Sequence, residues 1–215
     1  MPHRRSADRH RVGIQGGHCE LRDGYARERE RASARGPVVS LPTLVPGADG
    51  YPVLPRGRYT VTMSDVRDNF VVARSDGAWR GQLMDDLERY IELLDRLGLA
   101  LDSVWLDGSF ISGKVTPGDI DCSPVIDAAR SAPDPSITAD LNDMWIAPRN
   151  RWKHEPVPGI GRTLNLDIYG IVKVPDAHPG HGTYAALRGH WDDWWQRSRA
   201  TGETLAKGYV EVVLS

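Results

Sequence analysis

The sequence predicts an α+β domain: a small mixed β-sheet with helices packed on one face. Three observations carry that expectation. They are a long amphipathic pattern over Trp79–Leu97, two strands joined through Gly108-Ser109, and two strand-like segments nearer the C-terminus. With 215 residues, 40% of them hydrophobic and 26% charged, the chain can bury one real core, and its length does not call for a second.

Residues 1–37 read as a disordered basic extension and residues 38–215 as the domain. Residues 1–36 hold nine Arg against five Asp and Glu, a net of +4, which leaves −6 for the remainder of a chain whose total is −2. Few aliphatics and no sustained period leave this extension too little apolar surface to offset its ordering entropy. A basic tail could touch RNA or DNA, but the net-acidic body speaks against broad nucleic-acid binding, which needs basic surface. From Val38 to Arg58, Pro42, Pro46, Gly47, Gly50, Pro52, Pro55 and Gly57 mark a lead-in loop laid over a surface. Ser64-Asp65 then reads as a helix start, with Ser64 as cap and Val66, Phe70 and Val71 on one face.

The clearest helix spans Trp79–Leu97. Leu83, Leu87, Tyr90, Ile91, Leu94 and Leu97 recur at steps of three and four, with Asp85, Asp86, Glu88, Arg89, Glu92 and Asp95 filling the other face. Gly98 follows the last periodic residue, and Leu99 can pack back as in a glycine-capped terminus. A short strand, Ser103–Asp107, ends in Gly108-Ser109, and a second runs from Asp119 to about Ile126 after the turn Thr116-Pro117-Gly118. Around Pro133 and Pro135 the chain is a loop. A short helix over Thr138–Ile146, a central strand over Thr163–Val174, a helix over His190–Arg199 and a last strand over Lys207–Leu214 complete the pattern, with no internal repeat.

Several function classes drop out. The longest apolar runs are only a few residues, so nothing in the sequence spans a membrane. No charged start leads into an apolar stretch with a cleavage site, so the expected location is the cytoplasm. Cys19 and Cys122 are too few for a disulfide framework or a cysteine zinc site, and Cys122 reads as a small strand residue. His154, His178, His181 and His190 lack metal-ligand spacing. Trp191, Trp194 and Trp195, at steps of three and four, read as core rather than as a base-stacking platform.

The stretch that carries chemistry is Val104–Asp127, VWLDGSFISGKVTPGDIDCSPVID. Residues i and i+2 on a strand face the same way, so Asp119 and Asp121 lie side by side. Carboxylates held that close repel unless something neutralises them, and a divalent cation is the usual partner. An oxygen-only ligand set suits Mg²⁺ or Mn²⁺, commonly shared with substrate phosphates. Glycine lets the backbone approach a phosphate, and amide N–H groups with the Ser109 hydroxyl can donate to its oxygens. Together these are the parts of an in-line phosphoryl or nucleotidyl transfer site.

Rival motifs in the same stretch fail. Gly108 to Lys114 spells GxxxxGK, but Val115 stands where a P-loop needs Ser or Thr, and another strand follows instead of a helix. An EF-hand starting at Asp107 would place Ser112 where glycine is required and Ile111 at a coordinating position. The Asp-x-Asp of nucleotide-sugar glycosyltransferases usually follows a long α/β half, for which the region before residue 104 is too short and too loop-rich.

Gly108-Ser109 with Asp119-x-Asp121 resembles the signature of the DNA polymerase β-like nucleotidyltransferase superfamily. The wider pattern, WLDGSFISGK, then PGDID, with a terminal KGYVEV, resembles small bacterial proteins of the DUF6932-like set. The likeness is loose over residues 40–215 and close over 104–122. It implies a nucleotidyltransferase-like fold, an NTP substrate such as ATP, and Mg²⁺ (or Mn²⁺) held by Asp119 and Asp121. Asp167, in the segment LNLDIY, matches the third carboxylate that completes the metal site and helps activate the attacking hydroxyl. Gly108, Ser109 and Lys114 would hold the triphosphate, with Lys114 neutralising it. The implied enzyme moves an NMP group from an NTP to a hydroxyl on a protein, an RNA or a small molecule. The same likeness implies an alternative: a toxin–antitoxin or phage-defence component that acts by binding a cognate partner protein.

Overall fold

A computed structural model of the protein describes residues 40–133, 151–202 and 204–214. The expected extension over residues 1–37 and the expected helix over Thr138–Ile146 lie outside the described residues. Ten strands and three α-helices are described: β1 Val45–Pro46, β2 Pro52–Val53, β3 Gly57–Val61, α1 Met63–Arg67, α2 Gly77–Arg96, β4 Leu101–Asp107, β5 Ile120–Asp127, β6 Leu166–Ile168, β7 Ile171–Lys173, α3 His181–Trp194, β8 Arg197–Ser198, β9 Thr204–Leu205 and β10 Gly208–Val213. Six of the strands form one mixed sheet in the order β3-β10-β4-β5-β6, with β7 also pairing β5 beyond β6. The class is α+β, as the sequence predicts.

Helix α1 starts two residues earlier than expected. Thr62, not Ser64, is the cap: its hydroxyl accepts from the Asp65 amide at 3.1 Å while Asp65 accepts from the Thr62 amide at 2.8 Å. This reciprocal pair satisfies two orphan donors, which a lone serine one turn in cannot do. A π-turn over Asp68–Val72 then delivers Phe70 and Val71 to the core beside Val66.

The long helix α2 behaves as its periodicity demands. Leu83, Leu87, Tyr90 and Leu94 are fully buried. Its end is the glycine-capped type: Gly98 at φ +76° donates to the Asp95 carbonyl, and Leu99 donates back to Leu94 at 3.0 Å. This row packs with Val104, Leu106, Cys122, Val210 and Val212, which share one face of the sheet by register.

Helix α3 covers the opposite face, so the expected one-sided packing holds for α2 but not for α3. On that face the Tyr209 hydroxyl donates to Asp192, Arg188 lies over the Trp105 ring, and the Trp195 indole donates to Ser123 at 3.0 Å. Helix α3 also begins nine residues before the expected His190, and Arg197–Ser198 is a strand rather than its last turn. Trp191 is the one residue within it that is buried, and its first turns, with Gly182 and Gly189 among polar and small residues, give only a weak apolar signal.

Two strands differ from expectation for traceable reasons. Strand β3 falls partly in the Pro- and Gly-rich lead-in and pairs parallel with β10, whose central place is set by strands distant in sequence. The expected strand Thr163–Val174 is broken into β6 and β7 at Tyr169-Gly170 and lies beside β5 at the end of the strand order, among the described residues. The break faces Ser123-Pro124: β6 pairs up to Cys122 and β7 resumes at Val125. Proline has no amide hydrogen, so the ladder loses a rung there.

Candidate active site

Register alone assembles the acidic centre. Asp107 ends β4 directly opposite Asp121 of β5, and Asp121 stands directly opposite Asp167 of β6. Three aspartates therefore form a row across adjacent strands, and Asp119, two residues before Asp121, joins them at the mouth of a cavity of about 280 Å³. Gly108 and Ser109 line the same cavity, as do Tyr51, Tyr169, Trp194 and Trp195. Like charges directly opposite on a sheet destabilise it, so this row needs compensation.

Part of the compensation comes from two lysines. Lys207 pairs with Asp107, and Lys153 joins Asp119 to Asp167, the latter at 3.0 Å. Burial draws the Lys153 ammonium downward, but Asp119 and Asp167 outweigh it and hold the group above its ordinary value. Asp121 is left with the repulsion: burial first, then Asp107, Asp119 and Asp167, push its carboxyl up to about 7. Burial raises Asp107 as well, against the pull of Lys207. Among the described residues, Oδ1 of Asp107 and Oδ1 of Asp167 are buried with no hydrogen-bond partner.

The Gly108-Ser109 bend serves this row as well as turning the chain. Gly108 has φ +74°, and a Cβ built there would stand 1.9 Å from Asp121 Oδ2. Any side chain would drive the carboxylate out of place, so glycine is a requirement of the close approach. The loop that follows is pinned from α2. Arg80 donates to the carbonyls of Phe110, Ser112 and Lys114, Asp76 accepts from the Thr116 amide at 2.8 Å, and the Trp79 indole donates to the Pro117 carbonyl at 2.6 Å. Asp86 does the same for the lead into β6, accepting from Arg162 at 2.6 Å and from the Asn165 amide at 2.9 Å. One helix thus positions the approaches to both Asp119 and Asp167.

A sequence model described as a family of unknown function, DUF6932, matches residues 46–213. The chain belongs to DUF6932. The DUF6932 span contains all four aspartates, the bend and both lysines. No curated protein and no solved structure matches the chain.

Within this DUF6932 domain, five of the six residues singled out in the sequence come together: Gly108, Ser109, Asp119, Asp121 and Asp167 all line the cavity. Lys114 does not; its side chain is exposed on the loop, and its carbonyl is held by Arg80. The sequence reading missed Asp107, Lys153 and Lys207. Asp107 carried a signal, being an acid at a strand end beside the bend. Lys153 lies 34 residues from Asp119 with no local pattern to mark it, and Lys207 opens the terminal KGYVEV but lies 100 residues from the Asp107 it pairs with. The three tryptophans divide: Trp191 and Trp195 are buried as expected for core, whereas Trp194 is half-buried, and both Trp194 and Trp195 line the cavity.

The donor set fits a hard divalent cation in its chemistry. It is all carboxylate oxygen, two of those oxygens are buried and unpartnered, and Asp121 carries a repulsion that an added cation would relieve. As the side chains stand, no three His, Cys, Asp or Glu among the described residues converge to hold a metal, and the Lys153 ammonium lies between Asp119 and Asp167.

Proposed function

We propose that the protein is a metal-dependent nucleotidyltransferase of the DNA polymerase β-like type, moving an NMP group from an NTP to a hydroxyl acceptor. The observation that carries this reading is the aspartate row Asp107–Asp121–Asp167, with Asp119 beside it, packed against the Gly108-Ser109 bend. Buried carboxylates in such number raise the free energy of the fold, and a site that must gather cations around phosphates gives them a reason to be there.

Asp119, Asp121 and Asp167 would hold Mg²⁺ or Mn²⁺. A divalent ion there supplies charge for the triphosphate oxygens and lowers the pKa of a bound hydroxyl. The chain's own groups do the rest. Gly108 and Ser109 offer amide and hydroxyl donors to phosphate oxygens. In this reading Asp167 would take the proton of the acceptor hydroxyl. The acceptor oxygen then bonds to the α-phosphorus, the bond from that phosphorus to the bridging oxygen breaks, and pyrophosphate leaves with the electron pair. Lys153 competes for the oxygens of Asp119 and Asp167, so productive binding requires its ammonium to move off them, where it can face the phosphates instead.

The test is label transfer from each α-labelled NTP in Mg²⁺ and Mn²⁺, in the wild type and in a variant carrying Asp119→Ala and Asp121→Ala. Labelled acceptor or released pyrophosphate in the wild type, absent from the variant, is the expected result. A wild type that neither binds nor turns over any NTP with metal present rules the reading out.

A further inference from the structure

The cavity has a second wall whose chemistry differs from the first. Tyr169 follows β6 two residues after Asp167, and Ser123 lies two residues after Asp121. One pleat repeat, about 7 Å along the strands, therefore separates the carboxylate row from the groups that seat the aromatic side chains. The Tyr169 ring packs against Trp191 at 4.7 Å and edge-on to Trp195 at 4.9 Å. Trp195 is fixed at its polar end by its 3.0 Å bond to the Ser123 hydroxyl and stacks on Trp191 at 5.2 Å. Trp194 stacks against His190 at 6.2 Å and is only half-buried. Tyr169, Trp194 and Trp195 all line the cavity, and Arg199 is exposed on the same lining.

Trp191 and Trp195 are buried in the core, whereas Trp194 packs against it and stays half-exposed on the cavity lining. An indole half open to a polar, acid-lined cavity leaves apolar surface in water where a buried position would remove it. The neighbouring rings are pre-ordered by their own contacts and by the Ser123 bond, so a planar ligand seated here would meet rings that are already held. Flat aromatic faces beside a phosphate-handling centre suit a nucleobase, because every base has a π-face to stack whatever its hydrogen-bonding edge.

We infer that Tyr169 and Trp194, backed by the buried Trp195, form the nucleobase subsite of the cavity, seating the nucleoside end of an NTP while its phosphates reach the aspartate row. The inference rests on the nucleotidyltransferase reading and adds the source of base recognition. Recognition by stacking makes the subsite tolerant: purines bind more tightly than pyrimidines because they present more π-surface, with little discrimination between adenine and guanine.

The experiment compares binding of α,β-methylene ATP, which cannot transfer its NMP group, with binding of inorganic tripolyphosphate, both in Mg²⁺ by titration calorimetry. In the wild type the nucleotide is expected to bind about tenfold more tightly or better. Trp194→Ala is expected to erase that ratio and leave tripolyphosphate binding unchanged, which also certifies that the variant is folded, while Trp194→Phe retains most of the ratio. Equal binding of nucleotide and tripolyphosphate by the wild type, or an unchanged ratio in Trp194→Ala, overturns the base subsite while leaving the metal-phosphate site in place. Binding of neither probe by the wild type overturns both the subsite and the reading beneath it.

Discussion

Two groups of buried charge in this molecule are treated in opposite ways. At the start of α2, Arg80 is fully buried, yet its guanidinium meets the Asp76 carboxylate and the carbonyls of Phe70, Phe110, Ser112 and Lys114. Asp86, almost as buried, accepts from Arg162 and twice from Asn165. Across the sheet, Asp107 and Asp167 each keep an unpartnered buried oxygen, and Asp121 carries the repulsion of three neighbours. The satisfied charges hold loops in place, whereas the unsatisfied ones are what the proposed metal site would compensate. The first group serves the second, since Arg80 and Asp86 fix the loops that lead to Asp119 and to Asp167.

The largest effect is expected from breaking the satisfied group. Arg80→Met should cost about 3–5 kcal/mol, because it strands the Asp76 carboxylate and four carbonyls together. Urea denaturation at pH 7 measures it, and a loss below about 1 kcal/mol would mean that the loops do not depend on this guanidinium.

Asp121→Asn should act in the other direction. A carboxyl lifted to about 7 favours its protonated form in the fold, so its stabilising contribution is full at low pH and fades as pH rises through 7. Without metal at pH 8, the variant should therefore be more stable than the wild type by up to about 4 kcal/mol, with the gap closing near pH 4. Denaturation in EDTA at both pH values checks this. Added Mg²⁺ should stabilise the wild type and leave the variant little changed, and a pH-independent difference would contradict the crowded-carboxylate account.

Lys114→Ala should do least. Its side chain is exposed and away from the cavity lining, so stability should change by less than about 0.5 kcal/mol and nucleotide binding by less than about twofold. A tenfold loss of affinity would return Lys114 to the phosphate-binding role that its place in the motif suggests and would redraw the site.

The sequence by itself determined the features written in short-range pattern. The row Leu83, Leu87, Tyr90 and Leu94 announces its helix and the buried face, and Gly98 announces its end. The strand, bend and Asp119-Ile120-Asp121 announce the acidic centre, and Asp167 follows as the one acid of its segment. Each depends on neighbours within a turn or a pleat, where spacing and side-chain direction are the same thing. Only the tertiary structure decided that β10 runs between β3 and β4, that α3 covers the second face, and that Asp107 completes the row. It alone brought Lys207 and the aromatic wall to the cavity and Lys153 to Asp119 and Asp167. Strand register and cross-sheet packing join residues scores of positions apart, and the energy that selects those pairings belongs to the assembled core rather than to any local stretch of chain.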